Sequence, residues 1–183
     1  MNNMLYKNDV NQKDSIIKAG IDAWYGRNLL KYSEYIEDTI YCNDRTIKYY
    51  YGWDKENGVP NYWLIFADSD SLVCPRDTDK FSLKNDYAKL KYPVGLMTKA
   101  EFMLLNQVKS LAMHENYWML TPYLYDSSTG YPRAVENDGS LYYSMTSYRY
   151  AVRPVISLRP DVEYKSGNGS KTTPYIIDTS EVD

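Results

Sequence analysis

The sequence predicts an α+β fold, with two helices early in the chain and a twisted, mostly antiparallel sheet in its C-terminal half. Three observations point there. Apolar residues at helical spacing come first, at Ile17, Ile21 and Trp24. Short tyrosine-rich segments broken by turn residues fill the second half. Helices mostly ahead of strands is the α+β order, not the alternation that builds a parallel sheet.

Element by element, residues 1–13 read as an irregular polar lead, and 14–183 as one domain. Asp14 or Ser15 caps the first helix, and Gly26 lies near its end. A second short helix follows Ser33 in "YSEYIEDTI". The Asn-Asp pair of "YCNDRT" marks a turn, "NYWLIFAD" a strand, and "SLVCPRDTDKFSL" a loop with a short extended end. In "MTKAEFMLLNQ", Thr98 and Glu101 have capping-box spacing ahead of an apolar run. "YWMLTPY" is a strand stopped by Pro122. "RAVEN" and "SLYYSM" flank Asp138–Gly139, a hairpin signal. "YAVRPVISL" is apolar enough for burial on both faces and reads as a central strand. A glycine-rich loop and a short strand close the chain. No internal repeat or low-complexity tract interrupts it.

Composition narrows the function. The chain has 183 residues, 44% hydrophobic and 25% charged, ordinary for a globular domain with a core. A net charge of −3 with scattered Lys and Arg lacks the basic field that nucleic acid requires. No apolar run approaches the roughly 20 residues needed to span a bilayer, so no direct membrane insertion is expected in this segment. The opening "MNNMLYKNDV" is too polar for a signal peptide. Either the protein stays inside the cell, or an export segment lies outside this stretch. Cys42 and Cys74 close a long loop if the compartment is oxidising, and are two buried thiols if it is not.

The anomaly is aromatic. Tyrosine supplies 21 residues against three phenylalanines, and eight of the 21 fall within 117–150. A core built for packing alone favours Phe and Leu, because a buried Tyr hydroxyl needs a partner. The excess therefore points to half-exposed rings. Tyrosine offers large contact area at low rotamer cost, and Ser, Gly and Asn add adaptable hydrogen bonds. Tyr123, Tyr125, Asp126, Ser127, Tyr131, Arg133, Tyr142, Ser144, Tyr148 and Arg149 combine these types. Strand alternation places Tyr142 and Ser144 on one face, with Tyr143 opposite. The plainer alternative is a sheet that uses Tyr for cross-strand packing.

Other chemistry is less well supported. His114, the one histidine, would need a nucleophile or partner acid to act as a general base, and nothing in the sequence demands one, so it reads as a loop or helix-end residue. Asp68 with Asp70, and Asp77 with Asp79, are close carboxylate pairs without the glycine and distal glutamate of a calcium loop. No metal or cofactor is expected. "SGNGS" lacks a P-loop lysine and reads as a turn. Arg153, inside an apolar run, must be paired and is assigned a structural role, as are Trp24 and Trp118.

"DSIIKAGIDAWY", "DTIYCNDR", "LVCPRDTDKFSL", "YPVGLMTKAEF", "YWMLTPY", "AVENDGSL", "AVRPVISL" and "GNGSKTTPYII" follow one another in that order. Together they resemble an uncharacterised family of bacterial, mostly gut Firmicute, surface-protein domains ending in a Gly-Val-Arg-Pro-Val-Ile-Ser-Leu strand. The resemblance spans about Asp14 to Ile177. It implies a C-type-lectin-like core of the kind shared with formylglycine-generating enzymes and with the variable proteins of diversity-generating retroelements. In those variable proteins the varied positions also lie just before the final core strand. The resemblance also implies an extracellular or cell-surface location, within an exported or phage protein, and favours a Cys42–Cys74 disulfide. Neither the late cysteine pair of the formylglycine-generating enzymes nor a Glu-Pro-Asn sugar motif is present; "GVPN" at 58–61 lacks the carboxylate. The expectation is a noncatalytic module that binds an extracellular protein or carbohydrate through residues 121–150. The alternatives are a structural component of a fibre, pilus or phage tail, and an enzyme on the same core.

Overall fold

The computed structural model describes residues 14–52, 63–105, 114–126, 128–170 and 172–179. The lead at 1–13, the "GVPN" stretch and Ser127 lie outside them. The fold is α+β, with few helices and a curled antiparallel sheet.

Helix α1 runs Ile16–Asn28. Ser15 is its cap: extended backbone lets the Ser15 hydroxyl accept the Lys18 N–H at 3.1 Å. The helix buries Ile21 and Tyr25, which pack with Ile36 and Val94. Tyr25 stacks on Tyr92, ring centroids 4.9 Å apart. Trp24, assigned to the core from its spacing, is instead 37% exposed. Positions three and four residues after Ile21 flank the same face almost equally, and the available Tyr92 ring selects Tyr25.

The expected second helix is a 3-10 turn at Leu30–Tyr35, earlier and tighter than the sequence suggested. Ile36, β-branched and extended, leaves it to form β1 (Ile36–Glu37). Next come β2 (Tyr41–Cys42), β3 (Ile47–Tyr51), β4 (Trp63–Phe66), β5 (Lys80–Phe81) and β6 (Gly95–Leu96). Helix α2 (Lys99–Leu105) opens on its capping box. Thr98 N–H donates to Glu101 Oε2 at 2.7 Å, and Glu101 N–H to Thr98 Oγ1 at 3.2 Å. No helix among the described residues is long and apolar enough to cross a membrane.

Strands β7 (Tyr117–Asp126), β8 (Gly130–Val135) and β9 (Leu141–Tyr143) follow. They complete a five-stranded antiparallel sheet in the order β3-β4-β7-β8-β9. The sheet thus recruits two strands from the first half of the chain. Pro122 does not stop β7. It sits opposite Pro132 between two register shifts, where a residue without an N–H costs no ladder bond. The β8–β9 hairpin turns at Asp138–Gly139, with Gly139 at φ 87°.

"YAVRPVISL" is not a central strand. It is divided into β10 (Pro154–Val155), paired with β6, and β11 (Ser157–Leu158), paired with β1. Pro154 supplies no N–H, so the segment steps between two small ladders. β12 (Tyr164–Ser166) and β13 (Ile176–Ile177) form a last hairpin. Phe102 of α2 packs with Tyr117, Met119 and Val135, and Trp118 with Leu96 and Ala134.

A charged node ties the first half together. Cys42 and Cys74 are joined in a disulfide. Beside them Asp79 is fully buried. Its carboxylate accepts from Arg45 Nε at 2.7 Å, from Arg45 N–H at 3.0 Å and from Arg76 Nε at 3.0 Å. Asp77 pairs with Lys80. Both carboxylates weighed as a cation site therefore face basic side chains.

Candidate functional site

Strands β7–β9 gather the tyrosines of the second half. Register sets Arg133 opposite Tyr143 and Ala134 opposite Tyr142. Tyr143 is the hub: its ring lies 4.5 Å from Tyr123, 5.0 Å from Tyr142 and 6.4 Å from Tyr131. A second stack begins at buried Trp118, whose ring is 4.5 Å from Tyr150, with Tyr148 a further 6.2 Å out. The outermost rings, Tyr142 and Tyr148, are 49% and 53% exposed. Each is thus an exposed aromatic held from behind by another ring. Tyr125, half-buried, sits opposite Leu64 and Gly130, and Arg149 is exposed.

Two residues assigned to the surface face inward. Arg133 lies over the Tyr123 ring at 4.0 Å, and its Nε donates to Asp68 Oδ1 at 2.9 Å. Asp68, at φ 51°, also accepts from Lys99 at 3.2 Å, and Lys99 pairs in turn with Asp70. Charge complementarity across 65 residues of sequence draws Arg133 in. Ser144 is buried, its hydroxyl 3.1 Å from that of Tyr150; strand β9 ends at Tyr143, so alternation no longer governs it.

Asp126 organises the β7–β8 turn. Its Oδ1 accepts from Ser128 N–H and hydroxyl (2.9 and 2.8 Å) and from Thr129 N–H (2.7 Å), while Oδ2 accepts the Tyr131 hydroxyl at 3.0 Å. Burial pushes this carboxyl up, but the bonds from Ser128, Thr129 and Tyr131 outweigh it and hold Asp126 below the ordinary range. The same bond to Asp126 raises the Tyr131 phenol, with burial adding to it.

Trp118 packs in the core, and the Arg153 guanidinium lies over the buried Tyr117 ring at 5.6 Å. His114 is exposed. A shallow hollow of about 50 Å³, lined partly by Ile40, Leu72, Val73 and Thr98, has room for little more than water.

Sequence reasoning missed a second aromatic group. All five residues of β3 are exposed, Tyr49, Tyr50 and Tyr51 among them, and Trp63 of β4 is exposed opposite Tyr51. The signal was the run "IKYYY", too short to show alternation. Asp68 was weighed as a metal ligand when its partners are cations. In comparisons with known proteins, no family model, no curated protein and no solved structure matches this chain.

Proposed function

We propose that this chain is a noncatalytic ligand-binding module with a C-type-lectin-like core, serving an exported bacterial or phage protein as an adhesin or receptor-binding domain. One observation carries the reading: Tyr142 and Tyr148 are half-exposed, yet their rings are stacked on Tyr143 and Tyr150. Exposed rings already fixed in place lose little freedom on binding, which is the main cost a recognition surface must keep low. The surface comprises Tyr131, Tyr142, Tyr143, Tyr148 and Arg149. Arg133, Asp126 and Tyr123 form its support. The Cys42–Cys74 disulfide fits an oxidising, extracellular setting, and the resemblance to bacterial surface domains points the same way. The partner is an extracellular protein or carbohydrate.

The test is a protein and glycan array probed with the wild type and with the Tyr142→Ala, Tyr148→Ala double variant. Both side chains stand away from the core, so melting temperature should hold while binding disappears. A wild type that binds nothing, or a double variant that binds equally well, would instead favour a structural role with the tyrosines as packing.

A further inference from the structure

The aromatic group on β3 and β4 calls for a ligand of its own. Residues directly opposite in an antiparallel pair share a face. Tyr51, Trp63 and Asp126 therefore form one row across three strands. Tyr49, Ile65, Leu124 and Tyr131 form the next row on that face. The rings of Tyr49 and Tyr51 are 6.2 Å apart. Trp63 is 47%, Tyr51 57% and Tyr49 49% exposed, while Leu124 in the second row is buried. The exposed apolar surface is therefore the group of rings on β3 and β4, and exposed apolar surface of this kind marks a binding site.

We infer that this row binds a neutral polysaccharide chain laid across the sheet. A sugar ring has an apolar C–H face that stacks on an aromatic ring and a rim of hydroxyls that donate. Asp126 supplies the acceptor at the end of the row. Its Oδ2 takes the Tyr131 hydroxyl, and a carboxylate oxygen with two lone-pair sites accepts one donor more. The charges select a neutral chain. Asp126 would repel an anionic glycan, while the Lys48 ammonium, 5.5 Å over the Tyr49 ring, balances it at the other end. A row of exposed rings running across neighbouring strands suits an extended chain over an enclosed monosaccharide. This inference deepens the binding-module reading, on which it rests, by naming the ligand class and adding β3 and β4 to the site.

Affinity electrophoresis tests it, with soluble β-glucan, galactomannan and starch as neutral probes and alginate as the anionic one. The wild type should be retarded by at least one neutral probe and not by alginate. Trp63→Ala and Tyr51→Ala should each weaken retardation by about tenfold, the effect of losing one stacking ring, while Trp63→Phe stays close to wild type. Tyr51→Ala serves should Trp63→Ala lower the melting temperature. Retardation by no neutral probe, by alginate alone, or unchanged in both alanine variants would overturn the inference. Binding lost in the Tyr142, Tyr148 variant but untouched in Trp63→Ala and Tyr51→Ala would sink this site and leave the proposed function standing. A protein ligand on the array without any polysaccharide would do the same.

Discussion

Replacing Asp79 by alanine removes a carboxylate on which two arginines converge. Asp79 is 0% exposed and Arg45 13%, so their contact is shielded from water, whereas Arg76 at 48% is not. Arg45 supplies two hydrogen bonds, at 2.7 and 3.0 Å. Bonds to a charged group are worth about 1.5–3 kcal/mol each, so their loss sets an upper bound of about 6 kcal/mol. Breaking a buried pair from one side costs about 3–5 kcal/mol, because the remaining charge stays buried without its partner; the Arg76 contact adds little, being screened. For a chain of this size each kcal/mol moves the melting temperature by about 2–4 °C, giving a drop of roughly 6–20 °C. Urea denaturation with the disulfide intact, in parallel with thermal unfolding, measures it. The double variant Asp79→Leu, Arg45→Met should recover the part of the loss due to the stranded charge, since it leaves no buried charge on that axis, while the Arg45 backbone N–H stays without its acceptor. A cost for Asp79→Ala below about 1 kcal/mol would refute the reasoning, as would a double variant no better than the single.

Three further outcomes are expected. Tyr25→Phe should leave stability unchanged or raise it by about 1 kcal/mol, since the buried Tyr25 hydroxyl finds no partner among the described residues while the stack on Tyr92 survives the change; a loss of more than 1 kcal/mol in urea would show that the hydroxyl is satisfied. Burial raises the Tyr41 phenol to about 12, despite the opposing hydrogen bond of Thr39. Its folded value lies above the unfolded one near 10, so the associated stability is complete below pH 10 and lost between about 10 and 12; ultraviolet difference titration of wild type against Tyr41→Phe reads that step directly. Cys42→Ser with Cys74→Ser opens a loop of sequence separation 32 and should cost about 3–4 kcal/mol by chain entropy, seen as a lower denaturation midpoint that reducing agent no longer shifts.

Local signals were legible where the interaction partners lie within a few residues. The Ser15 cap, the Thr98–Glu101 box and the Asp138–Gly139 turn are all closed by bonds spanning three or four positions. Signals failed where a distant surface chose between near-equal local options. Tyr25 displaced Trp24 because Tyr92, 67 residues on, offers a ring. Pro122 continues a strand because Pro132 faces it across a bulge. The tyrosine band was visible as composition, but its division into supporting and exposed members was not. Arg133 has the chemistry of a ligand contact and is engaged instead by Asp68.

The sequence by itself determined the α+β class, the hairpin and cap positions, and the concentration of tyrosine near the C-terminal strands, because composition and short-range hydrogen bonding are written in order along the chain. Tertiary structure alone decided which tyrosines stay exposed, that β3 and β4 join the same sheet, and that Asp79 and Asp68 face arginines. The β4–β7 register, the Arg45–Asp79 pair and the Arg133–Asp68 pair join residues 34 to 65 positions apart, and a linear pattern carries no record of which distant segment will lie beside it.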